Sequence, residues 1–199
     1  LADIYVLDGD IWEASLLYMQ VDNDFKFETI GAEAKFKNAK IFYYDGEFEF
    51  AQAQLNVLKE STSKLIANDA IQLAVFITDN YGLDSNYQVM LWFATADRMI
   101  AQHHYDSAFV LFDSIQTKFP YHALADDILY RKGQAMEQRG AWQTALGFYA
   151  DLLKLHGKDI LADDALFRTA EIQELRLLDK TTAVEAYKKL LIDYKSSLY

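Results

Sequence analysis

Five alanines keep one register along the chain: Ala14, Ala51, Ala108, Ala145 and Ala183, separated by 37, 57, 37 and 38 residues. Twelve residues ahead of the first four stand Ala2, Ala39, Ala96 and Gly133, and Ala170 lies thirteen ahead of the fifth. Four residues after each alanine comes a large side chain: Tyr18, Leu55, Phe112, Tyr149 and Tyr187. Recurrence at a fixed period of about 20–50 residues marks stacked repeats, whose apolar faces are buried only against one another. The spacing predicts helical hairpins. A small residue on the first helix lets the second approach closely, where a bulkier one would force the axes apart. Four residues on, the large side chain points the same way and fills the space beside that contact.

Between the two small residues the chain must reverse. Gly9, Gly46 and Gly140 supply left-handed residues that end a helix without strain, and His103 takes that place in the third unit. A second recurring element reads "LIANDAI" (65–71), "ALADDIL" (123–129) and "ILADDAL" (160–166). Each sets Asn or Asp ahead of an apolar-periodic stretch, so each is expected to start a helix with a side-chain cap. An acidic metal cluster is the competing reading, but caps account for all three copies together. The 57-residue step exceeds one unit by about a helix. "LIANDAI" is expected to open a helix running to about Asn80, "YGLDSN" (81–86) to interrupt, and another helix to run from about Tyr87 to Gln102. Breaks are also expected near 9, 22–30, 45, 61, 103, 119–121, 140, 157–159 and 179. With eight glycines and one proline, turn residues are too few for an all-β chain.

The small-residue pairs, the large residue four after the second, and Pro120 twelve after Ala108 resemble the tetratricopeptide repeat over nearly the whole chain. The resemblance implies an all-α fold, a right-handed superhelical array of antiparallel hairpins with about eleven helices. It would form one repeat domain over 1–199, with units near 1–22, 31–60, 64–118 (with an inserted helix), 122–156 and 160–195. The linker "KFPYHALADDIL" (118–129) is similar to that of bacterial cell-envelope repeat proteins, the outer-membrane assembly lipoprotein and the Tol–Pal-associated periplasmic protein among them. That likeness implies a periplasmic or envelope location. "DYKSSLY" (193–199) repeats the linker outline with Lys195 in place of proline, and Leu1 already lies in a helical pattern. The sequence is therefore expected to belong to a longer chain.

Other chemistry finds little support. The chain has no cysteine, hence no disulfide, thiolate site or cysteine nucleophile. Its net charge is −11, of which −9 falls in residues 1–100, and an acidic surface repels nucleic-acid backbones. No apolar run reaches membrane-spanning length. The adjacent His103 and His104 diverge by about 100° on a helix and belong to no metal-binding spacing. Neither a nucleophile elbow nor a phosphate loop occurs. The expectation is a non-enzyme without metal or cofactor.

What remains is a surface. First helices of such repeats line a concave face suited to a peptide or partner helix. The family's groove positions lie three residues before the small first-helix residue, and one, four and five after it. On this sequence they fall on Phe36, Lys40, Tyr43 and Tyr44, then Phe93, Asp97, Ile100 and Ala101. Further along they are Tyr130, Gln134 and Glu137, then Phe167 and Glu171. The upstream aromatics Phe36, Phe93, Tyr130 and Phe167 are expected to pack between units. Lysine, which a carboxylate-clamping groove needs there, is absent. Tyr43 and Tyr44 beside Lys40 are the preferred recognition residues, as exposed tyrosines give rigid amphipathic contact area, although core packing of one of the two competes. Asp97, Tyr130 and Glu137 complete the candidate set. The sequence thus predicts a scaffold binding a protein or peptide, with self-association through end repeats as a further option. The alternative is a structural spacer within a larger envelope protein.

Overall fold

Where the register predicts close approach, the side chains are sealed from solvent. Ala39, Ala51, Ala96, Ala108, Ala145 and Ala170 are fully buried, as are Leu55, Phe112 and Tyr149. Burying one such large side chain contributes about 1.5–3 kcal/mol. The computed structural model describes residues 1–60, 64–82, 87–195, 197 and 199. Among these, eleven α-helices occur and no strand.

The helices fall into two compact units, Leu1–Lys118 and Phe119–Tyr199. The first contains α1 (Ala2–Asp8), α2 (Ile11–Asp24), α3 (Thr29–Asp45), α4 (Phe48–Leu58), α5 (Lys64–Ile77), α6 (Tyr87–Ala101) and α7 (Tyr105–Lys118). The second contains α8 (Ala125–Gln138), α9 (Trp142–Leu155), α10 (Ala162–Leu175) and α11 (Lys180–Asp193). Consecutive helices pack as antiparallel pairs: α1 with α2, α3 with α4, α6 with α7, α8 with α9, α10 with α11. The extra helix expected from the long step is α5. It lies between the second and third pairs in sequence and continues as a π-helical turn over Thr78–Gly82. The expected breaks at 61 and through 83–86 lie outside the described residues.

The hairpin turns share one device. Gly9, Gly46, His103, Gly140 and Leu178 all have positive φ, and each stands five residues before its register alanine. Leu178 is the member that residue type concealed. A left-handed leucine carries the steric cost that glycine avoids, and here its side chain is 74% exposed, so little packing offsets it.

The capping expectation fails in its detail. Helices α8 and α10 begin at Ala125 and Ala162, after Leu124 and Leu161, and neither start carries a side-chain cap bond. Asp126, Asp127, Asp163 and Asp164 sit one step inside, in the first turn, where they still face the positive end of the helix dipole. In "LIANDAI" the helix begins earlier, at Lys64, which puts Asn68 and Asp69 within α5. A true cap is found at α11, where the Thr182 N–H donates to Asp179 Oδ1 at 3.1 Å.

Two glycines of unit 2 separate packing from propensity. A Cβ on Gly133 would lie 2.4 Å from Tyr149 Cε1, and Tyr149 is fully buried and cannot yield, whereas nothing lies within 4 Å of a Cβ on Gly147. Gly147→Ala is expected to stabilise by about 0.5–1 kcal/mol through helix propensity. Gly133→Ala is expected to destabilise by about 1–2 kcal/mol, overpacking outweighing the same propensity gain. Leu178→Gly should stabilise by about 0.5–1 kcal/mol, the net of relieved left-handed strain and added unfolded-state freedom. Urea unfolding of the three variants measures all of these shifts.

Candidate interaction site

In unit 1 the preferred recognition residues are core. Tyr43 is 1% exposed and Tyr44 5%, so neither offers the exposed contact area expected of it. The Tyr43 ring lies 5.7–6.2 Å from those of Tyr44, Phe48 and Phe76, and its hydroxyl donates to the buried Asp97 carboxylate at 2.9 Å. The neighbours of α3 enclose both tyrosines, the inserted helix among these. Both α5 and α6 pack on α3, together with α2 and α4, and Phe76 of α5 lies against the Tyr43 ring. Phe36 and Lys40 are half-buried, and the Lys40 ammonium sits 5.6 Å from the centre of the Tyr44 ring.

Three of the upstream aromatics pack across their own hairpins, and Phe93 also packs outside its hairpin on Phe76 of α5, with ring centres 5.0 Å apart. Phe93 meets Phe112 at 5.1 Å, Tyr130 meets Tyr149 at 5.7 Å, and Phe167 meets Tyr187 at 6.1 Å. Each pair joins the residue three before the first small residue to the residue four after the second. Burial pushes the Tyr130 hydroxyl well above its ordinary pKa.

Unit 2 brings Glu137 into a built arrangement. Its side chain is 9% exposed and accepts three contacts. Tyr149 donates to Oε1 at 2.5 Å, Arg168 Nε donates to Oε1 at 3.1 Å, and a terminal nitrogen of Arg168 donates to Oε2. The other terminal nitrogen of Arg168 reaches Glu171 Oε2 at 2.6 Å. The planar guanidinium thus bridges α8 and α10, a geometry that lysine lacks. The bond to Glu137 holds the Arg168 pKa above its usual value, while burial, then Glu137, pushes the Tyr149 hydroxyl up.

Beside this bridge opens a recess of about 330 Å³. Glu137 and Gln138 of α8, Trp142 at the start of α9, and Arg168, Glu171, Ile172, Leu175 and Arg176 of α10 and its end line it. Ile172 forms a buried floor, and Leu175 stands 59% exposed at the rim. The Arg176 guanidinium lies over the Trp142 ring, 4.9 Å from its centre, and meets no carboxylate among the described residues. Apolar surface and an available cation therefore adjoin, while Arg168 is shared between the Glu137 and Glu171 carboxylates. The recess can hold an apolar side chain and an anionic group side by side, and it contains no nucleophile–base pair. Among the described residues, no group of three or more His, Asp or Glu could hold a metal ion, and no helix is long and apolar enough to cross a membrane.

Of the candidates, the structure brings Glu137 and Glu171 to the recess and leaves Tyr130 in the hairpin interior below. Trp142, Arg168, Leu175 and Arg176 escape the sequence reading. The register held a signal for one of them. Leu175 lies five after Ala170 just as Gln138 lies five after Gly133, and both line the recess.

The ion bridge makes a measurable prediction. Arg168→Met leaves a largely buried Glu137 charge without its partner and is expected to destabilise by about 1–3 kcal/mol, below the range for a fully buried pair because Arg168 is partly exposed. Adding Glu137→Gln should recover most of that loss. A double-mutant cycle in urea reads the coupling.

Residues 127–159 and 164–197, which contain the recess, match the family model of the tetratricopeptide repeat. A search of curated proteins and one of solved structures each found no match to the chain. Residues 127–197 are thus tetratricopeptide repeats.

Proposed function

We propose that the chain is a non-catalytic interaction domain that binds a protein partner through the α8–α10 face of unit 2. Tetratricopeptide repeats are typically protein-interaction modules, and one observation carries the reading to a place. The half-buried Trp142, the exposed Leu175 and the Arg176 cation, which meets no carboxylate among the described residues, adjoin at one recess whose other charged groups, Glu137, Arg168 and Glu171, are engaged with one another. Aromatic and arginine anchors in a partly enclosed recess are the residues that dominate binding energy at interfaces. The partner segment that fits carries an apolar side chain next to a carboxylate. The linker at 118–129, similar in outline to that of envelope repeat proteins, favours a bacterial envelope as its setting.

Selection from a displayed peptide library tests this. Peptides that bind the wild-type chain are expected to combine an aliphatic or aromatic residue with a neighbouring Asp or Glu. Arg176→Glu and Leu175→Asp should each weaken them about tenfold or more, with helicity by circular dichroism unchanged. Selection that enriches no peptide sensitive to either variant would sink the reading and leave the chain a spacer.

A further inference from the structure

After α11, two tyrosines reach earlier elements of unit 2. The Tyr194 hydroxyl donates at 2.9 Å to the carbonyl of Gly157, between α9 and α10. Tyr199 lies flat on Phe167, with ring centres 3.9 Å apart and planes 7° from parallel. Its hydroxyl donates to Asp164 Oδ1 at 2.6 Å. The other ring pairs described in this unit are tilted, at 5.7 and 6.1 Å, so this contact is closer and flatter than the hairpin packing around it.

Asp164 and Phe167 are three residues apart and share one face of α10. The Phe167 ring is also held by Tyr187 of α11, so it offers a fixed platform. Together the two side chains test two properties at once. The platform requires an aromatic ring, and the carboxylate requires a hydroxyl at the far end of that ring. Phenylalanine meets the first condition alone and serine the second alone. Burial raises the Asp164 carboxyl pKa against the opposing effect of the Tyr199 bond, and burial, then that bond, raises the Tyr199 hydroxyl, whose residue stays about half exposed.

We propose that Asp164 and Phe167 form a tyrosine-reading seat on α10, which the chain fills in cis with Tyr199 and which a tyrosine from an extended partner segment takes when Tyr199 leaves. This goes beyond the recess at Trp142 and Arg176 and does not depend on it. The seat lies toward the start of α10, the recess toward its end, and different residues make them. Occupation in cis presents the tyrosine at a high local concentration, on the order of millimolar for a short tether, so an external tyrosine competes at a disadvantage.

The probe is the peptide N-acetyl-Ser-Ser-Leu-Tyr-amide, titrated into the isotope-labelled chain and followed by NMR at the Asp164 and Phe167 amides. Tyr199→Ala is expected to bind it at least tenfold more tightly than the wild type, because the seat is vacated. In that background Asp164→Asn, or a peptide ending in Phe, should lose about fivefold or more, the loss of a charge-assisted hydrogen bond. Equal binding by Tyr199→Ala and wild type, or equal binding of the Tyr and Phe peptides, overturns the proposal. A dispersed amide spectrum confirms that the variant is folded. Tyr199→Phe, which keeps the stack and removes only the hydrogen bond, gives a second reading. It should bind the peptide about threefold or more above wild type, and unchanged binding overturns the proposal equally.

Discussion

Everything built on unit 2 depends on how closely α8 and α9 can approach at Gly133. The glycine leaves room for the Tyr149 ring to lie where a Cβ would stand, 2.4 Å from Cε1. Because the ring comes that close, its hydroxyl reaches Glu137 one turn further along α8. Glu137, held from below, then presents both carboxylate oxygens to Arg168. The guanidinium in turn fixes Glu171, so two successive hairpins are joined by one chain of polar contacts starting at a missing methyl group. A side chain at position 133 would not merely loosen packing. It would move the carboxylate that defines one wall of the recess.

Unit 1 uses the same small-residue crossings to a different end. Ala39 with Ala51, and Ala96 with Ala108, are all fully buried. Here, however, α5 enters between the pairs, and α3 becomes a helix with neighbours on four sides. Its polar groups are accordingly satisfied internally. Ser15 donates to Asn38 at 2.7 Å, Asn38 donates to Gln54 at 3.1 Å, and Tyr43 donates to Asp97. Such a network is favourable when complete and costly when broken, which suits a structural core better than an adaptable binding face. α1 stands at the other extreme. It buries no residue fully and is tied down by Asp3, which accepts from Tyr18 at 2.6 Å and pairs with Lys37 at 3.1 Å. The bond from Tyr18, chiefly, holds the Asp3 carboxyl below the usual carboxylate range.

The hairpins were legible because their signal is steric and local. An alanine or glycine at a crossing, a large residue four later and a left-handed residue five before leave a periodic trace that no tertiary context erases. Even Leu178 obeys it by position while violating it by type. The helix starts were less legible. The paired aspartates favour the first turn of a helix as much as its cap, and spacing alone does not separate the two by one residue. The site was least legible. Tyr43 and Tyr44 occupy groove positions in register, yet whether a face is open depends on the neighbouring helices, an inserted one among them, whose docking the repeat pattern does not specify. Arg168 and Arg176 lie off the groove register altogether, because a long cationic side chain acts several ångströms from its own backbone.

Helix α10 carries the consequence of these contacts for recognition. Asp164, Phe167, Arg168, Glu171 and Leu175 recur at three- and four-residue steps and so form one stripe. Along it the chemistry changes in order: a carboxylate with an aromatic platform, an ion bridge of one guanidinium between two carboxylates, then an apolar rim beside the Arg176–Trp142 stack. A uniform apolar stripe would bind any amphipathic helix. This one alternates polar and apolar demands along its length, with the ion bridge in the middle already satisfied and rigid. Charged groups that are committed to each other contribute shape and discrimination rather than attraction. Attraction is left to the two ends, and a segment lying on this face is read there, by what it offers to Asp164 and to Arg176.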